Sequence, residues 1–214
     1  MSTPAVPISA TEQKAAEHIF GDRLPLAERY VEHLATSGIE RGLIGPREVP
    51  RLWGRHVLNC AIMAELMPEG ATLADVGSGA GLPGLTLAIA RPDLRINLIE
   101  PLERRTIWLN EVIEDLGLEN VEVLRARSEQ LFDEVSVDIV TARAVSALKN
   151  LIGMCMPLAN SSGELLALKG RSAADEIAAA GKELKKHKCA EPEILTVGAD
   201  VLEEPSTVVR VRRR

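Results

Sequence analysis

Aromatic residues make up only 2% of this 214-residue chain. A core of any size must therefore be packed from Leu, Ile, Val and Ala. Cysteine is almost as scarce. Cys60, Cys155 and Cys189 are odd in number and far apart, with neither zinc spacing nor a disulfide framework. They read as small buried apolar residues in a reducing compartment. Four histidines without paired spacing give no metal site. No apolar run reaches the roughly 18 residues of a membrane span. Residues 1–10 lack the basic region and apolar stretch of a secretory signal. The expectation is a cytoplasmic protein without membrane or metal.

What is present is a hydrophobic fraction of 46%, in a length that suits one α/β domain with a modest extension. The net charge of −6 argues against a surface coated for nucleic acid, but not against a local basic patch. Basic residues cluster at Arg47, Arg51, Arg55 and His56; at Arg104 and Arg105; at Arg125 and Arg127; at Lys169 and Arg171; and at Arg210, Arg212, Arg213 and Arg214. Most such clusters are solvated faces, unless several meet beside one site.

Residues 1–8, with Pro4 and Pro7, are expected to be irregular. Ser9 and Glu12 have capping-box spacing and start a helix. A second helix is expected from 24 to 36, stopped by Gly38, and a third from about 49 to 67. The third carries Leu52, Trp53, Leu58, Ile62 and Leu66 at near-helical spacing. From residue 71, strands are expected at 72–76, 95–100, 121–125, 137–142, 163–168, 192–197 and 206–212, with helices near 83–91, 102–116, 146–156 and 172–187. Such alternation means a mostly parallel sheet with helices on both faces. The short connection between the last two strands, with Gly198 and Pro205, favours an antiparallel hairpin at the sheet edge. The organisation is thus a helical extension over 1–70 and an α/β domain over 71–214.

The first strand runs into Asp75-Val76-Gly77-Ser78-Gly79-Ala80-Gly81-Leu82-Pro83-Gly84. Four glycines in eight residues exceed what a simple turn requires. Glycine bares the backbone and permits positive φ, as a nucleotide-like ligand demands at a strand–turn–helix corner. Two registers compete. Gly79-x-Gly81-x-x-Gly84, with Glu100 21 residues past its first glycine, fits a dinucleotide such as NAD. Asp75-x-Gly77-x-Gly79-x-Gly81 fits S-adenosylmethionine (SAM). The strand ending at Val76 and the terminal hairpin favour SAM.

Ligands of doubly wound sheets sit at the carboxyl ends of the strands. Glu100 there suits ribose hydroxyls. Ser128 and Glu129 suit an adenine edge, or Ser128 caps a short turn. Arg143 suits a carboxylate, a phosphate or a structural acid such as Asp75. Lys169 suits a substrate phosphate or is a surface lysine. His56 is a substrate-side candidate or a structural histidine.

The glycine loop with its Leu82-Pro83-Gly84 ending, Arg55-His56 upstream, Arg143-Ala144, and Ala167-Leu168-Lys169-Gly170 together resemble the RsmG (GidB) family from about residue 50 onward. The resemblance implies a Rossmann-like class I SAM-methyltransferase fold with a seven-stranded sheet. It implies methyl transfer to N7 of a guanine, position 527 in the 530 loop, of bacterial 16S rRNA or the small ribosomal subunit; a monomer is expected. SAM contacts are implied for Gly77, Leu82, Ser128, Glu129 and Arg143, with Glu100 at the ribose, and substrate-side roles for Arg55, His56 and Lys169; Asp75, Gly79 and Gly81 are cofactor-binding candidates from the loop register itself. Two departures stand out. Asn59 and Cys60 replace the Asp-Ser of the family's Arg-His-x-x-Asp-Ser, and Gly42-Leu43-Ile44-Gly45-Pro46 replaces its Trp-Asn and Asn-Leu-Thr signature.

Guanine N7 has a lone pair and no proton, so attack on a sulfonium methyl needs no general base. Rate then comes from positioning, in keeping with the absence of an evident acid/base dyad. Because N7 must face the methyl group, the arginine fork to O6 and N7 is unavailable. Arg143 and Lys169 are therefore expected at the cofactor carboxylate, O6 or phosphates. Trp53 is a candidate stacking platform. A SAM enzyme for a small molecule, which suits the acidic net charge, and an NAD-binding Rossmann protein are the alternatives.

Overall fold

The computed structural model describes residues 6–214. Residues 1–5, with Pro4 of the segment expected to be irregular, lie outside the described residues. Seven strands, β1 (Thr72–Val76), β2 (Arg95–Ile99), β3 (Val121–Leu124), β4 (Val137–Arg143), β5 (Ala159–Lys169), β6 (Glu193–Val197) and β7 (Ser206–Arg212), form one sheet in the order β3-β2-β1-β4-β5-β7-β6. All neighbours are parallel except β7, which runs antiparallel to both β5 and β6. The terminal hairpin is therefore present, but β7 is inserted beside β5 and β6 takes the edge.

Successive residues of a strand point to opposite faces, so a sheet buried on both sides carries apolar residues at every position. Leu73, Ile96, Leu98, Ile139, Leu166, Leu168 and Val208 belong to one core. Ala74, Val76, Ile99, Val140, Ala142, Leu165, Ala167 and Val209 belong to the other. The second face is covered by α7 (Leu148–Cys155), α8 (Ala173–Ala179) and α9 (Gly181–Lys186).

The first face is covered by α5 (Gly84–Ala90) and α6 (Glu103–Leu116) together with the N-terminal helices α1 (Ala10–Phe20), α2 (Leu24–Ala35), α3 (Ser37–Glu40) and α4 (Asn59–Ala61). The N-terminal segment thus shares one core with the sheet: Tyr30, Leu34, Leu52 and Leu58 are buried with Leu85, Leu87, Trp108 and Leu109. The capping box at Ser9 forms, with Glu12 N–H donating to Ser9 Oγ at 3.1 Å and Ser9 N–H to Glu12 Oε2 at 2.7 Å. At the other end of a helix, Gly117 at φ +62° closes α6 in the left-handed conformation that a side chain disfavours.

Two local expectations are corrected. Gly38 does not stop α2; the break comes at Thr36, and Gly38 lies buried inside α3. A Cβ there would come within 3.1 Å of the His33 carbonyl oxygen. The helix expected over 49–67 is four pieces: a 3-10 stretch Pro46–Arg51, a π-helical turn Leu52–Leu58, α4, and a 3-10 stretch Ile62–Leu66. Pro50 has no N–H to donate and interrupts the ladder, and the wide turn then carries Arg55 and His56.

Candidate functional site

The chain reverses its direction of travel across the sheet between β1 and β4, which opens a crevice at the carboxyl ends of these strands. The glycine loop follows β1 into this crevice. Gly77, Gly79 and Gly81 have φ of +71°, +56° and +85°. A Cβ on Gly77 would stand 2.7 Å from Val145 Cγ2, and one on Gly81 would overlap Leu85. On Gly79 it would meet only the Gly77 carbonyl at 3.8 Å, so open space lies in front of that residue.

Asp75 is fully buried beneath the loop. Its Oδ2 accepts from Gly84 N–H at 3.0 Å and its Oδ1 from Thr141 Oγ1 at 3.3 Å. Burial pushes this carboxyl up to about 6, against the lowering effect of those bonds. Such a group shapes the loop from behind. From the other side the Tyr30 hydroxyl donates to the Ala80 carbonyl at 2.6 Å.

Glu100 closes β2 and is buried, with Oε2 accepting from Gly79 N–H and Oε1 from Leu102 N–H, both at 3.0 Å, and Arg105 at 3.5 Å. Its carboxylate is therefore aimed at the glycine loop. Ser128 follows β3, buried, and its Oγ has no hydrogen-bond partner. The helix-cap reading of Ser128 is thereby corrected, because a cap would have engaged that oxygen. Glu129 beside it is exposed, and Leu82 is packed into the first core.

Arg143 ends β4. Its Nη2 donates to His56 Nδ1 at 2.7 Å and to the Arg55 carbonyl at 3.4 Å, and its Nη1 to Cys60 Sγ at 3.2 Å. Asp75 is not its hydrogen-bonding partner. The two residues that depart from the family motif are both engaged. Cys60 takes a bond from Arg143, and Asn59 Nδ2 donates to Ser206 Oγ at 2.7 Å, while that hydroxyl donates to the Asn59 carbonyl at 2.9 Å. Ala144 follows at φ +55°, a sparsely populated conformation for a side-chain-bearing residue, and leads to Val145 against Gly77.

Beside this crevice a groove of about 1080 Å³ is lined by Arg51, Arg55, Arg143, Lys169, Arg171 and Glu204 among others. The glycine loop does not line it, so groove and loop are adjoining spaces that meet at Val145, two residues after Arg143. Lys169 differs from expectation. Its side chain is 8% exposed, and Nζ donates to Glu176 Oε2 at 2.7 Å and the Ser146 carbonyl at 2.8 Å. A cation held in this way is neither a surface lysine nor free for a phosphate. Arg55 and Arg171, by contrast, are exposed and make no ion pair among the described residues. Trp53 is buried at 4% exposure, so it is core and no stacking platform. Glu48 and Tyr30 were not legible as site residues; the only hint at Tyr30 is that it is the chain's one tyrosine. No group of three potential metal ligands occurs among the described residues, nor a helix long and apolar enough to cross a membrane.

An open, side-chain-free stretch at Gly79 and an unpartnered buried hydroxyl at Ser128 fit a nucleoside-bearing cofactor lying across the ends of β1, β2 and β3. The fold agrees. The chain superposes on a TYW2 protein of M. jannaschii in complex with AdoMet (TM-score 0.56, 17% identity, 76% of this chain and 78% of that one). It also superposes on a precorrin-6y C5,15-methyltransferase of Geobacter metallireducens (TM-score 0.54, 16% identity, 73% and 87%). Sequence relatives are much nearer. A ribosomal RNA small subunit methyltransferase G of Pseudarthrobacter chlorophenolicus is 64% identical over 206 residues, covering 96% of this chain and 95% of that protein. One of Corynebacterium efficiens is 50% identical, covering 98% and 92%. The family model described as GidB, rRNA small subunit methyltransferase G, matches residues 23–203. With that match over most of its length, the chain belongs to the GidB family of SAM-dependent methyltransferases.

Proposed function

We propose that this protein methylates N7 of a guanine, position 527 in the 530 loop, of 16S rRNA in the small ribosomal subunit, with SAM as donor. The observation that carries the reading is the meeting of two spaces at Val145, beside Arg143: the glycine loop on one side and a groove edged by unpaired arginines on the other. The cofactor supplies a methyl group on a cationic sulfur. Guanine N7 offers a lone pair with no proton to remove, so no side chain need act as a base, and the protein's task is positioning.

The residues divide accordingly. Gly77, Gly79 and Gly81 give the cofactor bare backbone, and Leu82 an apolar contact. Glu100 takes the ribose, and Ser128 and Glu129 the adenine. Asp75 acts behind the loop by fixing Gly84. Arg143 receives the carboxylate of the cofactor's methionine part. Arg55 with His56 takes the substrate side, and Arg55 and Arg171, exposed along the groove, would meet RNA phosphates. Lys169 supports that wall through Glu176. Residues 71–214 thus hold the cofactor, and residues 6–70 close one side of it and contribute Arg55 and His56. We further propose a cytoplasmic monomer that uses no metal, a reading consistent with its substrate.

The test is to supply labelled SAM and small subunits from cells lacking this methyltransferase, then map the modified nucleotide. Label at guanine N7 in the 530 loop is expected. Absence of transfer to both subunits and their free RNA would overturn the assignment. Calorimetry with SAM and with NAD checks the cofactor separately; binding of NAD but not SAM would refute it.

A further inference from the structure

Glu48 lies in the 3-10 stretch Pro46–Arg51, and both its carboxylate oxygens are engaged. Oε1 accepts from Arg51 Nη2 at 2.6 Å, and Oε2 lies 2.7 Å from His56 Nε2. The other ring nitrogen of His56, Nδ1, is 2.7 Å from Arg143 Nη2. A guanidinium has only donors, so Nδ1 must be the acceptor. The single ring proton then sits on Nε2 and is donated to Glu48, which leaves the imidazole neutral. Burial, outweighing the bond to Glu48, holds the pKa of His56 below its usual value, in keeping with a neutral ring.

The remaining partners of Arg143 are the Arg55 carbonyl and the Cys60 sulfur, and no carboxylate pairs with it within 4.0 Å among the described residues. Cys60 is itself buried, and that burial raises its thiol to about 11, so it too is neutral. Every group that grips the guanidinium is therefore uncharged, and its own charge is left for an incoming anion.

We propose that Glu48 is a positioning residue: by accepting the Nε2–H of a neutral His56 it fixes the orientation of the ring, which aims Arg143 at the junction of loop and groove and keeps its charge for the cofactor's carboxylate. This rests on the cofactor reading above. Glu48 touches neither cofactor nor substrate; it acts through the ring proton of His56. The charged groups facing that ring are Glu48, Arg55 and Arg143, drawn from the broken helix and from β4.

The tautomer is read by ¹⁵N NMR of the histidine rings in the ligand-free full chain, with His56→Gln to assign the signals. Nδ1 unprotonated and Nε2 protonated is the expected pattern. It should persist in Glu48→Gln, whose amide oxygen still accepts, and also in Glu48→Ala, where Arg143 still donates to Nδ1 but Nε2 has lost its anchor. SAM affinity by calorimetry should fall roughly tenfold in Glu48→Ala and stay near wild type in Glu48→Gln, as for other outer-shell partners of a ring nitrogen. A proton on Nδ1 in the wild type overturns the proposal without any variant. So does unchanged SAM affinity in a folded Glu48→Ala protein. Failure of the wild type to bind SAM would count against the cofactor reading instead, because the tautomer is measured without ligand.

Discussion

Replacing Lys169 by alanine removes one half of a largely buried ion pair. Nζ makes two hydrogen bonds, to Glu176 and to the Ser146 carbonyl, from a side chain 8% exposed. Glu176 Oε2 also accepts from Leu148 N–H at 2.7 Å and Oε1 from Ser172 Oγ at 3.1 Å, so in the variant the carboxylate keeps two neutral donors but loses its cation. A hydrogen bond to a charged group contributes about 1.5–3 kcal/mol, and stranding a buried partner about 3–5 kcal/mol. The 22% exposure of the Glu176 side chain lets water share the load and moves the expectation to roughly 2–4 kcal/mol. For a chain of this size each kcal/mol lowers Tm by about 2–4 °C, so a fall of roughly 5–15 °C is expected by calorimetry. A cycle with Glu176→Gln should show a coupling of about 1–3 kcal/mol. Loss of methyl transfer with Tm unchanged would refute this account and make Lys169 a direct substrate contact.

Gly77→Val should abolish SAM binding by calorimetry, since φ of +71° is an outlier for a β-branched residue and its Cβ would stand 2.7 Å from Val145; unaltered binding would remove the loop from the site. Asp75, with a folded pKa near 6 against an ordinary 3.8, gains stability from protonation that is full below about pH 3.8 and lost as pH rises through 6. The ionised form then costs about 3 kcal/mol above pH 6. Asp75→Asn should therefore be more stable than wild type at pH 8 and equal to it at pH 4, as denaturant titration would show; a variant less stable at both would contradict this. Tyr30→Phe keeps the buried ring but leaves the Ala80 carbonyl without its donor. Roughly 1–2 kcal/mol of stability and a several-fold loss of SAM affinity are expected, and unchanged affinity would deny the hydroxyl a role in shaping the loop.

The sheet was legible because its signals are local. Apolar strands, glycine turns and alternating helices each occupy a few consecutive residues, and the carboxyl ends of β1 to β5 could be read as site positions. The glycine loop identified a nucleotide-like ligand and, with Leu82-Pro83-Gly84, a family. What the sequence hid was pairing across distance. Lys169 looked available because nothing adjacent opposes it, yet Glu176 one α-helix turn into α8 takes its charge. Glu48 and His56 are eight residues apart on a segment whose proline and wide turn break the periodicity that would have linked them. Tyr30 and Ala80 are separated by fifty residues, and Ser128 showed its unsatisfied hydroxyl only once its surroundings were known.

The bond between Asn59 and Ser206 joins residues 147 positions apart. As the chain leaves the ribosome, its helical first third emerges with apolar faces whose partners have not been made. Trp108 and the rest of α6 arrive some seventy residues after α2, and β7 almost at the end. Contacts of such sequence separation form late and slow folding. The last lock on the Arg55–His56 segment can close only after residue 206 has been synthesised, so this segment is fixed after the glycine loop has been made.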